Sequence, residues 1–138
     1  LQRHLMADTL KQRPGPMRLV DATQYRLPLA AKLSILHRAS GILMFVLLPF
    51  IIWMFDKSVS SEISYEEFTS VLASPLAKLV VLALIWSYLH HFCAGVRHLW
   101  MDATHSVTKE QGKSSAVVSF AISLLLTVAL GAKLFGLF

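Results

Sequence analysis

Three long apolar stretches dominate this sequence of 138 residues and limit what it can fold into. They cover residues 29–55, 75–100 and 115–138. Each reaches the roughly 20 residues that an α-helix needs to cross a hydrocarbon core about 30 Å thick. Because hydrophobic residues make up 55% of the chain and charged residues only 15%, little is left to build a soluble catalytic domain. The sequence therefore predicts an all-α membrane protein: a three-helix transmembrane domain over 29–138, preceded by an N-terminal segment over 1–28.

The charged residues are distributed in a way that indicates the orientation of these helices. The first connection, over residues 56–74, carries Lys57 against several acidic residues, whereas basic residues surround the second connection. Basic residues also precede or open the first span: Arg3, Lys11, Arg13, Arg18, Arg26, Lys32 and Arg38. By the positive-inside rule, the N-terminus is cytoplasmic (or in the matrix) and the C-terminus lies outside. The net charge of +5 is thus a topology signal, and we expect no nucleic-acid partner.

The second apolar stretch ends in a cluster of histidines, with the sequence YLHHFCAGVRHLWMD over residues 88–102. His91, Gly95 and His98 are spaced i, i+4 and i+7, so they share one helical stripe, while His90 points about 100° away. A histidine inside a membrane helix is costly and is a functional candidate by default. Gly95 allows a flat cofactor or another helix to approach the backbone. For His91 we favour a ligand; for His98 an interfacial position and a functional role both stay open.

A second polar group opens the first span. Ser34, His37, Arg38 and Gly41 are spaced i, i+3, i+4 and i+7, and the spacing predicts that they face one way. Their side chains offer hydrogen-bond donors for a carbonyl and positive charge for a carboxylate. Arg38 alone would be interpreted as a snorkelling residue. A polar triad that shares its face with a glycine favours a site instead.

The depths of these groups predict a haem. At 1.5 Å per residue, His91 lies roughly 15 Å inside Met101, near the bilayer midplane. His98 lies about 10 Å nearer the cytoplasm, at the expected depth of His37 and Arg38. A deep imidazole below a shallow cationic layer suits an upright haem b, with iron on the histidine and propionates among the basic groups. Since only His91 has both this depth and the glycine stripe, a second axial ligand must come from a partner helix.

Two motifs carry a family resemblance. One is an Arg-Pro pair upstream of S-x-x-H-R-x-S, and the other is H-x-x-x-G-[aliphatic]-R-H-L-x-x-D. With three spans and both motifs in the right mutual placement, the chain resembles the cytochrome b556 anchor subunit of succinate dehydrogenase, respiratory complex II. The matching positions are Arg13, Pro14, Ser34, His37, Arg38 and Ser40 in the first, and His91, Gly95, Val96, Arg97, His98, Leu99 and Asp102 in the second.

The resemblance implies a role for each site residue. Ser34 and Arg38 would line a ubiquinone site, and His91 would be an axial ligand of haem b. His37, His98 and Arg38 would lie near the haem propionates. FAD and iron–sulfur clusters would belong to a soluble flavoprotein subunit and an iron–sulfur subunit. A second membrane anchor subunit would share a larger helical bundle with this chain and supply the other haem ligand.

Rival interpretations remain open at this point. One is the membrane anchor of a quinol:fumarate reductase, an enzyme that catalyses the reverse reaction. A non-redox helper or transporter subunit would use its histidines to handle protons. The compact chain favours a bacterial inner membrane over a mitochondrial one.

Overall fold

The structure is a computed structural model that describes residues 15–138. It contains α-helices and no strand within that range: α1 (Leu19–Gln24), α2 (Leu29–Val46), α3 (Leu48–Ser60), α4 (Glu62–Leu72), α5 (Pro75–Thr104) and α6 (Lys109–Leu134). Three of them, α2, α5 and α6, are long and apolar enough to cross a membrane. The predicted all-α membrane fold with three spans is confirmed. The predicted Arg13-Pro14 motif lies outside the described residues.

The first predicted span, 29–55, is divided between α2 and α3. Proline at position 49 lacks an N–H group and its ring clashes with the carbonyl four residues earlier, so it kinks or breaks a helix that contains it. The N–H of Leu47, at the end of α2, donates to the carbonyl of Leu43 at 3.0 Å, and Pro49 occupies the first turn of α3. The helix α2 alone, with 18 residues, is about 27 Å long.

The α3–α4 corner is held by hydrogen bonds at the surface of the domain. Ser61 caps α4, and the buried Ser64 donates from its Oγ to the carbonyl of Lys57 at 2.9 Å. The Lys57 ammonium also lies 2.7 Å from the Glu67 carboxylate. This hydrogen bond raises the pKa of Lys57 above its usual value. Exposed pairs of this kind contribute little stability.

Local caps set the ends of α5 and α6. Ser74 caps α5 by accepting from the N–H of Ala77, and α5 then runs to Thr104, beyond the predicted residue 100. Thr108 and Gln111 form a capping box that starts α6 at Lys109, earlier than the predicted residue 115. The connection is therefore only residues 105–108.

The helix α5 packs between α2 and α6, and small residues make both contacts possible. Large apolar side chains are mostly exposed, as suits helices that face lipid. The buried residues are Leu33 and Ser40 on α2, Ala77, Ser87, His90, Ala94 and Arg97 on α5, and Gly112, Ala116, Ser119, Ser123 and Gly131 on α6. One face of α5 therefore presents its polar side chains to α2, and the opposite face presents others to α6.

Candidate functional site

The α2–α5 contact brings three histidines together. The His37 ring stacks on the His91 ring with centroids 4.1 Å apart and an interplanar angle of 20°. His98 meets His37 edge-on at 5.1 Å. The Oγ of Ser34 lies 3.4 Å from Nε2 of His98. The predicted stripes on the two helices thus face each other across one contact.

Glycine at position 41 makes room for His91. A Cβ at this position would lie 3.1 Å from Cε1 of His91, closer than side chains normally approach. At Gly95 a Cβ would lie 3.7 Å from Nε2 of His37, which is an ordinary van der Waals distance. The sequence predicts that Gly95 lets a flat cofactor or another helix approach, and in the structure His37 of the helix α2 lies next to it. The glycine that makes room for His91 is Gly41, which belongs to α2.

The hydrogen bonds of His91 determine which of its ring nitrogens carries the proton. Nδ1 lies 3.0 Å from the carbonyl oxygen of His37. Because a carbonyl only accepts, Nδ1 must be the donor. Ser40, which is fully buried, donates to the same carbonyl at 2.8 Å and places its Oγ 3.4 Å from Nδ1. In the neutral ring, Nε2 is therefore unprotonated and has the free lone pair that a metal ligand needs.

Arg38 departs from the predicted convergence. Ser34 and His37 meet His98 on α5, but Arg38 is exposed and makes no hydrogen bond or ion pair with any residue in the range 15–138. One residue along a helix turns the side chain by about 100°, so His37 and Arg38 cannot both point at α5. The guanidinium flanks the histidine cluster and is open to whatever lies beside it.

His90 lies on a different face of α5, as the periodicity predicts. It is 1% exposed and packs between Trp86, at 5.2 Å between ring centroids, and Phe120 of α6, at 5.5 Å. Its Nε2 has no hydrogen-bond partner among the described residues. Enclosed in this way, His90 is not open to a group outside the chain.

The sequence of the chain matches a known family. The family model described as succinate dehydrogenase/fumarate reductase transmembrane subunit matches residues 3–130. The chain belongs to this family. It is 32% identical over 113 residues to the succinate dehydrogenase cytochrome b556 subunit of Coxiella burnetii, covering 81% of this chain and 90% of that protein. The cytochrome b556 subunit of Paracoccus denitrificans is 33% identical over 75% of this chain and 80% of its own.

A eukaryotic member of the group is also similar. The succinate dehydrogenase cytochrome b560 subunit, mitochondrial, of Dictyostelium discoideum is 28% identical over 76% of this chain and 55% of its own length. The resemblance to cytochrome b556 anchor subunits of succinate dehydrogenase, predicted from two motifs, is confirmed. As a member of this family, the chain is a subunit of an enzyme complex.

The sequence alone assigns no role to two polar residues of the motifs, Ser40 and Arg97. Ser40 orients His91 through the His37 carbonyl, and its place one turn after His37 was the available signal. Arg97 is only 6% exposed and donates from Nε to Ser115 Oγ at 2.9 Å and from Nη2 to the carbonyl of Gly112 at 3.1 Å. An arginine within an apolar run signals a partner, but periodicity could not name α6 as its source.

In the part of the chain that the structure describes, no three His, Cys, Asp or Glu side chains converge so that they could hold a metal ion between them, and the stacked histidines are no exception. The donor set of the α2–α5 contact instead offers one imidazole nitrogen with its proton fixed on the opposite side of the ring. A single nitrogen suits a porphyrin-bound iron, whose other ligands come from the macrocycle and a second side chain.

Proposed function

We propose that this chain is a membrane-anchor subunit of a succinate:quinone oxidoreductase that ligates haem b through His91 and helps form a ubiquinone-reduction site. The observation that carries the proposal is the hydrogen bond from His91 Nδ1 to the His37 carbonyl, 3.0 Å long. It fixes the ring orientation and leaves Nε2 as the basic nitrogen. Membership of the succinate dehydrogenase/fumarate reductase transmembrane family supports the same reaction class.

The residues fit haem b in chemistry and in placement. When bound, the haem supplies a one-electron store beside the quinone site. His91 Nε2 would hold the iron on one side, and a partner helix would supply the other ligand. His37, His98 and Arg38 would lie towards the propionates. Of these, the exposed Arg38 has the free donors for a bidentate contact with a carboxylate.

The quinone site would use Ser34 and Arg38. The Ser34 hydroxyl, 3.4 Å from His98 Nε2, is placed to donate to a quinone carbonyl while His98 holds or passes a proton behind it. Arg38 would stabilise negative charge as it develops on the quinone oxygen. Ser34 and Arg38 lie between the N-terminus and the middle of α2, the part of the helix nearer the side that the charge distribution assigns to the cytoplasm.

The rest of the complex follows from these roles. An iron–sulfur subunit would deliver electrons to the quinone from a flavoprotein that holds FAD and oxidises succinate. A second anchor subunit would complete the helical bundle. The bacterial relatives favour a bacterial inner membrane. The positive-inside rule supports an N-terminus in the cytoplasm. A quinol:fumarate reductase anchor is the alternative, since the family description covers both enzymes.

The proposal is tested by replacing the two deep histidines. In the purified complex, His91→Tyr should alter the reduced-minus-oxidised optical spectrum and the midpoint potential of the haem, because it removes an axial nitrogen. The control is His90→Leu, which is similar in volume and also removes a buried unpaired polar atom, so it should fold normally and leave both readings unchanged.

The opposite outcome identifies the wrong histidine. A spectrum changed by His90→Leu and indifferent to His91→Tyr would overturn the ligand assignment. A wild-type complex without a haem spectrum would favour the non-redox alternative.

A further inference from the structure

A groove of about 840 Å³ lies between α5 and α6, on the face of α5 that points away from the histidine cluster. Apolar side chains line its length, among them Phe92, Val96, Val118 and Ile122. Its polar end, near the α5–α6 connection, is lined by Arg97, by Ser115 and Gln111, and by Glu110. The volume lies within the roughly 300–1,000 Å³ of typical small-molecule sites.

Arg97 is a buried cation without a counter-ion in the described part of the chain. Both of its hydrogen-bond acceptors, the Ser115 hydroxyl and the Gly112 carbonyl, are neutral. Glu110 lines the same groove but does not approach within the 4 Å of an ion pair. A charge buried at a membrane-spanning helix is costly unless it is paired. The Nη1 group of Arg97 makes no hydrogen bond within residues 15–138 and remains available to a ligand.

We propose that this groove binds one anionic phospholipid, with its phosphate on Arg97 and an acyl chain along the apolar part. The order of the features matches a lipid: a cation at the polar end and hydrocarbon side chains running from there into the spans. Lys109 and Lys113 are exposed on the first turns of α6 beside the exposed Glu110, so Arg97 is the cation that the groove itself presents to a headgroup. A small anion such as phosphate would satisfy Arg97 but leave the apolar length of the groove unfilled, whereas an acyl chain fills it. The site is separate from the proposed haem and quinone sites and does not depend on them.

Lipid titration tests the proposal. The membrane complex is purified through a tag on this chain, stripped of lipid and titrated with phosphatidylglycerol, with phosphatidylcholine and with inorganic phosphate, and bound molecules are counted by native mass spectrometry. We expect Arg97→Gln to weaken binding of one phosphatidylglycerol by about tenfold or more, since a charge-assisted contact is lost. The matched control Lys113→Gln removes an exposed charge at the same end and should bind as the wild type does.

Three results would overturn the proposal. Equal phosphatidylglycerol binding by wild type and Arg97→Gln would show that Arg97 holds no headgroup. Equal loss in Lys113→Gln would indicate diffuse charge attraction. Displacement of phosphatidylglycerol by millimolar inorganic phosphate would indicate a simple anion site.

If the Arg97 variant fails to assemble, an experiment on the wild-type complex still tests the proposal. Phosphatidylglycerol with a photoactivatable acyl chain should form adducts on the α5 peptide with Phe92 and Val96 and on the α6 peptide with Val118 and Ile122. Adducts confined to other surfaces contradict the proposal. So does a cross-link that shows a neighbouring protein chain in the groove.

Discussion

Two residues proposed for the quinone site on α2 differ in their surroundings. Ser34 contacts His98 on α5, whereas Arg38, one turn later, is exposed. If both serve the quinone, Ser34→Ala and Arg38→Ala should each lower quinone reduction about ten- to a hundredfold, the effect of one lost charge-assisted hydrogen bond. Succinate oxidation with an artificial acceptor upstream of the quinone should be spared. Lys32→Ala, another exposed basic residue on α2, is the control and should leave both activities unchanged.

Measuring both quinone reduction and succinate oxidation distinguishes a role in the quinone site from a structural role. If both fell together, Ser34 and Arg38 would have structural roles. If neither fell, the quinone site would lie elsewhere.

At the scale of the elements, the two glycines in the α2–α5 contact, Gly41 and Gly95, differ in how much room they leave for a side chain. Gly41→Ala would place a methyl 3.1 Å from His91 Cε1, so the ring must shift by a few tenths of an ångström. Because His91 would hold the haem iron, this variant should shift the haem spectrum and midpoint potential. Gly95→Ala meets only an ordinary contact of 3.7 Å with His37 and should change them little. A larger effect at Gly95 than at Gly41 would place the haem against α5 at Gly95 instead.

On the scale of the whole molecule, the described residues leave polar groups that need partners. Arg38 is exposed on a membrane-spanning helix, and few residues are buried within the three-helix packing. Polar groups at membrane depth are paired in stable proteins. Purification in mild detergent should therefore recover a second small membrane chain together with soluble flavin and iron–sulfur subunits. A high-salt wash should release the soluble subunits and leave the two membrane chains together.

The contrary result for the complex is specific. A stable monomer of this chain that binds haem and quinone by itself would contradict the proposed division of labour between subunits.

Much of this protein is determined by the sequence alone, because the relevant physics is local. Hydropathy over about 20 residues set the three spans, and the helical period separated His90 from His91 and His98. The break in the first span is also local in origin, because Pro49 has no N–H group to donate to a continuous helix. The capping box of Thr108 and Gln111 is an equally local signal, and it starts α6 earlier than the hydropathy predicts.

The tertiary structure decided what each face of α5 meets. Periodicity gives the angle between residues on one helix, but not the rotation of that helix against its neighbours. In a bilayer, apolar surfaces facing lipid or protein differ little in energy, so small residues and hydrogen bonds choose the contact. Only the packed helices show that Gly41 clears His91, that the His37 carbonyl fixes its proton, and that Arg97 turns to α6.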